Sequence, residues 1–133
     1  MRRKGVKSML GDSNVVATIP VSDMEAAKAF YEQTLGLKKS KEDMGGVSYA
    51  SGQTTIYVYQ SEFAGTNKGT AAAWQVDDIE TAVESLGQKG VTFEHYDNIP
   101  GATLEGDVHV MGPAKAAWFK DPSGNILNIV SGM

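Results

Sequence analysis

Residues 15–25 read Val-Val-Ala-Thr-Ile-Pro-Val-Ser-Asp-Met-Glu, a strand-forming run that leads directly into a helix start. The first seven residues of this stretch are apolar or β-branched, which is typical of a buried strand. Ser22 and Glu25 have the spacing of a capping box, and apolar residues then recur at helical intervals until Gly36. The stretch therefore predicts a strand followed by a helix.

The same pattern returns about 55 residues later in the chain. Residues 71–76 again form a strand-like run, and Asp77 and Glu80 repeat the capping-box spacing. Apolar residues at i, i+3, i+4 and i+7 indicate a second helix, which Gly87 and Gly90 close. Two copies of one structural unit explain this repeat.

Strand-like stretches follow each predicted helix, and turns rich in glycine separate them. They span residues 37–42, 47–50 and 54–60 in the first copy, and residues 91–96, 116–120 and 125–130 in the second. Each half thus has the order βαβββ and is too short to bury a core alone. We predict one α+β domain over residues 14–133, with modules 14–60 and 70–131 joined by a linker, 61–69. Residues 1–13 are predicted to be a flexible tail, and residues 97–114 a loop at the edge of a pocket.

Composition and charge exclude several classes of protein. The chain has no cysteine, which excludes disulfide scaffolds, thiolate metal sites and cysteine nucleophiles. Four of the 12 basic residues lie in the first seven positions, so the rest of the chain is acidic and disfavours nucleic acid. With no export signal and no apolar run long enough to span a membrane, we expect a cytoplasmic protein without a membrane partner.

Three motifs together give the chain its resemblance to a known family. They are Val21-Ser22-Asp23-Met24, Val76-Asp77-Asp78-Ile79 and the segment from Phe119 to Asn125, which contains Asp-Pro-Ser-Gly-Asn. The chain resembles the vicinal oxygen chelate superfamily of glyoxalases, bleomycin-resistance proteins and extradiol dioxygenases. The resemblance implies paired βαβββ modules whose mixed sheets curl around a cavity, with the helices packed outside.

The resemblance also indicates where metal-using members hold their ion, on the first and last strands of each module. The matching positions in this chain are Val16, Ile56, Ala71 and Asn128. None is histidine or glutamate, the side chains that a catalytic divalent ion of this type needs. We therefore predict no metal and no other cofactor.

Strand alternation then predicts which side chains line the cavity that the resemblance implies. The predicted pocket consists of Val16, Thr18, Ile56, Val58, Ala71, Ala73, Gln75, Trp118 and Asn128. This wall is mostly small or apolar, which suits an organic ligand stacked on an indole and oriented by a few polar groups. The alternative is that the same residues fill a closed core.

Two further residues are weak candidates for acid–base chemistry. His109 alternates with Val108 and Val110, so it should lie on the opposite face of a strand from them, within reach of Glu105 or Asp107. The competing interpretation is a histidine at the surface or packed in a loop, because no second imidazole or activated nucleophile accompanies it.

Three hypotheses for the function follow from these observations. The first is a metal-independent protein that binds or sequesters a small organic molecule, cationic or neutral, in an apolar pocket. The second is a glyoxalase-type lyase or isomerase, or a dioxygenase-like enzyme, that uses His109 and Glu105 or metal ligands not recognised here. The third is an interaction module with a filled core. Exposed strand edges and a half-open sheet also predict a homodimer.

Overall fold

The computed structural model describes residues 10–132. The predicted tail falls mostly on residues 1–9, which lie outside the described residues, as does Met133. The remaining part of the predicted tail contains one 3-10 turn, Leu10–Asp12, whose side chains are exposed. Among the described residues, neither helix has the length and the apolar surface to span a bilayer.

The first module forms a four-stranded mixed sheet backed by one helix. Its elements are β1 (Ala17–Val21), α1 (Met24–Ala29), β2 (Lys38–Glu42), β3 (Gly46–Ser51) and β4 (Thr54–Gln60), with a π-helical segment, Phe30–Thr34, that continues α1. The strand order is β1-β4-β3-β2, in which β1 and β4 are parallel and the other pairs are antiparallel. Gly36 ends the helix with a φ of 75°, as its position in the sequence predicts.

The second module repeats this topology with an added hairpin. Its elements are β5 (Thr70–Gln75), α2 (Ile79–Gln88), β6 (Phe93–Glu94), β7 (Thr103–Glu105), β8 (Val108–Met111), β9 (Ala114–Lys120) and β10 (Ile126–Ser131). The strand order is β5-β10-β9-β8-β7, and β6 also pairs with β9. The hairpin β7–β8 lies inside residues 97–114, so that segment is not the continuous loop that its glycines and prolines suggest.

Both helices begin one residue later than the capping boxes predict. Asp23 Oδ1 accepts a hydrogen bond from the amide of Ala26, and Asp78 Oδ1 accepts one from the amide of Thr81. Ser22 does not cap α1, and its amide donates to the hydroxyl of Ser123 in the second module, 3.0 Å away. The cap lies one residue after the predicted position in both repeats, because Asp23 and Asp78 accept the capping hydrogen bonds.

A single hydrophobic core joins the two modules on the helix side of both sheets. Ile19 and Tyr49 of the first sheet belong to the same cluster as Phe119 and Leu127 of the second. Phe30, just after α1, contacts Phe119 across the boundary, with ring centroids 6.3 Å apart. The fold is thus α+β with two mixed sheets and two helices around a shared core, as neither half could bury enough apolar surface alone.

The expected strong curl of the sheets is not found. Each sheet covers the shared core with one face, and the other face, here called the open face, lies outside that core. Because alternate residues of a strand point to opposite faces, the pairing register determines which side chains reach each open face.

A buried carboxylate ties the modules together at one end of the core. Asp121, only 5% exposed, accepts hydrogen bonds from the hydroxyl of Tyr31, from the side-chain amide of Asn125, and from the backbone amides of Ser123 and Asn125. The Asn125 side chain also donates to the carbonyl of Pro20 at 2.7 Å. Burial, followed by the Asp121 charge, raises the pKa of Tyr31 far above its ordinary value. The turn from Asp121 to Asn125 therefore links the second module to the first through hydrogen bonds to Tyr31 and Pro20.

Candidate ligand-binding site

The register of the second sheet brings most of the predicted pocket residues onto its open face. Asn128 pairs with Ala73 on one side and with Trp118 on the other, and the next row continues the same face. That row contains Gln75, Val130, Ala116, His109 and Leu104. Ala71 stands apart, because the pairing of β5 with β10 is irregular there and leaves Ala71 exposed without a pairing partner.

Trp118 forms the centre of this face. Its half-buried indole contacts the rings of His109 and Tyr96 edge to face, with centroid distances of 4.9 and 5.4 Å. The indole nitrogen donates to the hydroxyl of Thr70 at 3.0 Å, which fixes the orientation of the ring. An aromatic surface held in this way can stack against a flat organic ligand.

Three polar atoms on this side of the sheet are buried and have no hydrogen-bond partner among residues 10–132. They are Asn128 Oδ1, His109 Nδ1 and Tyr96 Oη. A buried polar group without a partner costs about 1 to 3 kcal/mol, so native proteins keep few of them. All three belong to residues next to Trp118: Asn128 pairs with it across the strands, and the rings of His109 and Tyr96 contact its indole.

A cavity of about 360 Å³ opens beside His109 and Tyr96. The other residues that line it are His95, Asp97, Ala102, Thr103 and Leu104. Burial, with a smaller contribution from the Glu94 charge, raises the pKa of Tyr96, so its hydroxyl is protonated at neutral pH. Tyr96 was not predicted from the sequence, because it follows β6 in an irregular segment where alternation gives no face.

The first sheet contradicts part of the predicted pocket. Thr18 pairs with Tyr57, whereas Ile19 pairs with Val58, so Val58 and its i−2 neighbour Ile56 share the buried helix face with Ile19. Placing Ile56 and Val58 on the same face as Thr18 was wrong. In the sequence Ile-Tyr-Val-Tyr every residue is at least partly apolar, and only the register with β1 decides which pair is buried.

Tyr57 and Tyr59 occupy the open face instead. Their rings stack with centroids 6.0 Å apart and planes 10° from parallel. Tyr57 donates its hydroxyl to Asp43 Oδ1, which also accepts the amides of Gly45 and Gly46. These hydrogen bonds, the backbone ones first, hold the pKa of Asp43 below its usual range. The open face of the first sheet is thus an aromatic wall on which the Tyr57 hydroxyl has a hydrogen-bond partner.

The residues at the family's metal positions do not fit a metal ion. Val16 lies just before β1 and is exposed, Ala71 is exposed, and Ile56 is buried in the core; none carries a donor atom. Asn128 offers only a neutral amide. No group of three His, Cys, Asp or Glu side chains suited to hold a metal exists within residues 10–132.

The proposed acid–base pair is not brought together either. In the β7–β8 hairpin Leu104 is opposite His109, whereas Glu105 pairs with Val108 and therefore projects from the other face. Asp107 bonds to His95, with 2.7 Å between Nε2 and Oδ1. His109 itself is 1% exposed, so it is not a surface histidine.

The topology defines a class, the two-module α+β proteins built from βαβββ repeats. The family model of the Glyoxalase/Bleomycin resistance protein/Dioxygenase superfamily matches residues 14–129, and the chain belongs to this superfamily. A search of curated proteins finds no significant match.

Solved structures show the same fold. The crystal structure of TnmS3, an antibiotic binding protein from Streptomyces sp. CB03234, has a TM-score of 0.70 at 22% identity and covers 95% of this chain and 100% of its own. A glyoxalase/bleomycin resistance protein from Streptomyces sp. CB03234 has a TM-score of 0.63 at 25% identity, covering 88% and 98%. Lactoylglutathione lyase from Agrobacterium tumefaciens has a TM-score of 0.67 at 16% identity, covering 91% and 94%. The similar structures thus include both a binding protein and an enzyme, and likeness of fold does not choose between them.

Proposed function

We propose that this protein binds a small organic molecule, without a metal, on the open face of its second sheet. The observation that carries the proposal is the oriented indole of Trp118, flanked by Tyr96 and His109 and adjacent to buried polar atoms that lack partners among residues 10–132. Stacking on the indole supplies affinity, and the polar atoms of this face orient the ligand. TnmS3, which has the same fold, is described as an antibiotic binding protein, and we extend that role to this chain as part of the proposal.

The charge around the face favours a neutral or cationic ligand. Asp97 lines the cavity, Glu94 pairs with Trp118 across the strands, and Asp107 bonds to His95 at the cavity edge. The Nζ atom of Lys120 lies 3.8 Å from Oε1 of Glu94, so the lysine offsets the charge of that carboxylate. The remaining carboxylates repel an anion and attract a cation. Neither nucleic acid nor a membrane is a partner in this proposal, and we place the protein in the cytoplasm.

In this proposal a second copy of the chain covers the open face and completes the ligand site beside the cavity that His109 and Tyr96 line. Tyr57 and Tyr59 supply a second aromatic wall. A homodimer would then sandwich the ligand between this wall and Trp118. Light scattering after gel filtration should give twice the monomer mass; a monomer at millimolar concentration would remove the dimer from the proposal.

A ligand screen followed by two matched variants tests the proposed function. Thermal shift with metal-free bleomycin and a panel of neutral and cationic aromatic antibiotics, in the presence of chelator, should identify a stabilising ligand. Calorimetry should then show that Trp118→Ala weakens this ligand about 30-fold, the loss expected of a central aromatic anchor. Trp74→Phe is the control, because Trp74 lies on the helix face of the same sheet. Equal affinity of Trp118→Ala and the parent protein would overturn the placement of the site.

A further inference from the structure

His109 is held in one tautomer by a backbone contact. Its Nε2 lies 2.9 Å from the amide nitrogen of Tyr96, and an amide can only donate. Nε2 therefore carries a lone pair, and the neutral imidazole must carry its proton on Nδ1. The side chain is 1% exposed, so it cannot rotate away into solvent without opening the sheet. His109 is thus a fixed donor at Nδ1.

That donor has no acceptor among residues 10–132, and neither does the hydroxyl of Tyr96. The two rings are neighbours, with centroids 6.0 Å apart, and both residues line the cavity of about 360 Å³. The hydroxyl is protonated at neutral pH because burial raises the pKa of Tyr96. Two residues that each carry a buried donor without a partner among residues 10–132 therefore line one cavity, and both of their rings contact the indole of Trp118.

We propose that His109 Nδ1–H and Tyr96 Oη–H together recognise a carbonyl oxygen on an uncharged ring system of the ligand. This inference rests on the proposed function and assigns the chemical class of the ligand at that site. A carbonyl oxygen has two lone pairs and can accept both hydrogen bonds. A carboxylate or phosphate would also accept, but Asp97 in the cavity wall and Asp107 at its edge oppose an anion.

The same geometry makes His109 a binding residue and not a general base. Its Nδ1 already carries a proton, and its Nε2 lone pair is used by the Tyr96 amide. Accepting a further proton would break that hydrogen bond. Glu105, the partner required by the acid–base hypothesis, projects from the opposite face of the hairpin.

The first test is the tautomer of His109 in the free protein. Two-bond proton–nitrogen correlation spectra at neutral pH should show His109 protonated at Nδ1 only, with the signals assigned by their loss in His109→Gln. His95 is exposed and is an internal comparison from the same spectrum. An Nε2-protonated or doubly protonated His109 would overturn the proposal, because Nδ1 would then not be the sole donor.

The second test uses two probes of nearly the same shape, 9-fluorenone and fluorene, which differ in one carbonyl. Followed by NMR titration, fluorenone should bind at least about tenfold more tightly than fluorene, the difference expected of one buried hydrogen bond. Tyr96→Phe removes only the hydroxyl and leaves the backbone contact to His109, so it should reduce this preference while fluorene binding stays unchanged. Equal affinities in the parent protein, no binding of either probe, or an unchanged preference in Tyr96→Phe would each contradict the inference.

The two proposals fail in distinguishable ways. Suppose that Trp118→Ala weakens binding of an antibiotic from the panel but the protein binds fluorenone no more tightly than fluorene. The proposed binding site is then supported, and the proposal of a carbonyl ligand is wrong. If Trp118→Ala has no effect on any ligand, the site itself is misplaced, whatever the tautomer of His109.

Discussion

The open faces of the two sheets differ in how their polar groups are satisfied. On the first sheet Tyr57 donates to Asp43, and Asp43 in turn accepts two backbone amides. On the second sheet His109, Tyr96 and Asn128 each keep a buried atom without a partner among the described residues. The two modules therefore present chemically different open faces. In the proposed function, the first is an aromatic wall and the second carries the groups that bind the ligand.

The largest expected change in stability comes from removing the buried carboxylate of Asp121, whose hydrogen bonds link the two modules. Asp121→Ala should lower the free energy of unfolding by about 3 kcal/mol, because several buried donors lose their acceptor. Urea unfolding should still show one transition, since both sheets share one core. Tyr31→Phe is the milder control, with an expected loss of about 1 kcal/mol, because Asp121 keeps its other hydrogen bonds. A separate unfolding transition for each module would contradict the conclusion that the two modules unfold together.

A smaller change, an increase in the free energy of unfolding, should come from a substitution on the open face of the second sheet. Asn128→Leu replaces an amide whose oxygen lacks a partner within the described part of the chain with an apolar side chain of similar shape, so it should raise the free energy of unfolding by about 1 kcal/mol. It should also weaken ligand binding. Gln75→Leu on the same face is the control, and because Gln75 is exposed its effect should stay within about 0.5 kcal/mol. A destabilised Asn128→Leu would show that the amide already has a partner in solution.

The smallest expected change is a pH-dependent loss of stability on the open face of the first sheet, where Asp43 lies. The pKa of Asp43 is lowered in the folded state, so its carboxylate stabilises the fold above the pKa of the unfolded chain. That contribution is lost as the pH falls through the folded pKa. Asp43→Asn should therefore lower the melting temperature at pH 6, and the difference should fade below about pH 4, where aspartate in the unfolded chain becomes protonated. A difference that persists unchanged to pH 2.5 would argue against charge as its source.

Much of the fold was predictable because it depends on local patterns. Strand β4 was predicted with the bounds found in the structure, and both helices were placed within one or two residues. The caps lie one residue later than predicted in both modules, because the side chains of Asp23 and Asp78 accept the capping hydrogen bonds. The β7–β8 hairpin was hidden by short strands and by flanking glycines and prolines.

The site was less predictable because it depends on register and on irregular segments. Trp118 and Asn128 were placed on one face, and the pairing of β9 with β10 sets them opposite each other. Ile56 and Val58 were assigned to the wrong face, since they alternate with Tyr57 and Tyr59, whose side chains are also partly apolar. Tyr96 was missed altogether, because only the tertiary structure brings it to Trp118.

The most direct test of the central claim uses the two tryptophans on opposite faces of the second sheet. Trp118 lies on the open face and Trp74 on the helix face, and each gives one indole N–H signal in a proton–nitrogen spectrum. During titration with the tightest-binding antibiotic from the panel, the account predicts that the Trp118 signal shifts while the Trp74 signal stays in place. A shift of Trp74 with an unmoved Trp118 would contradict it.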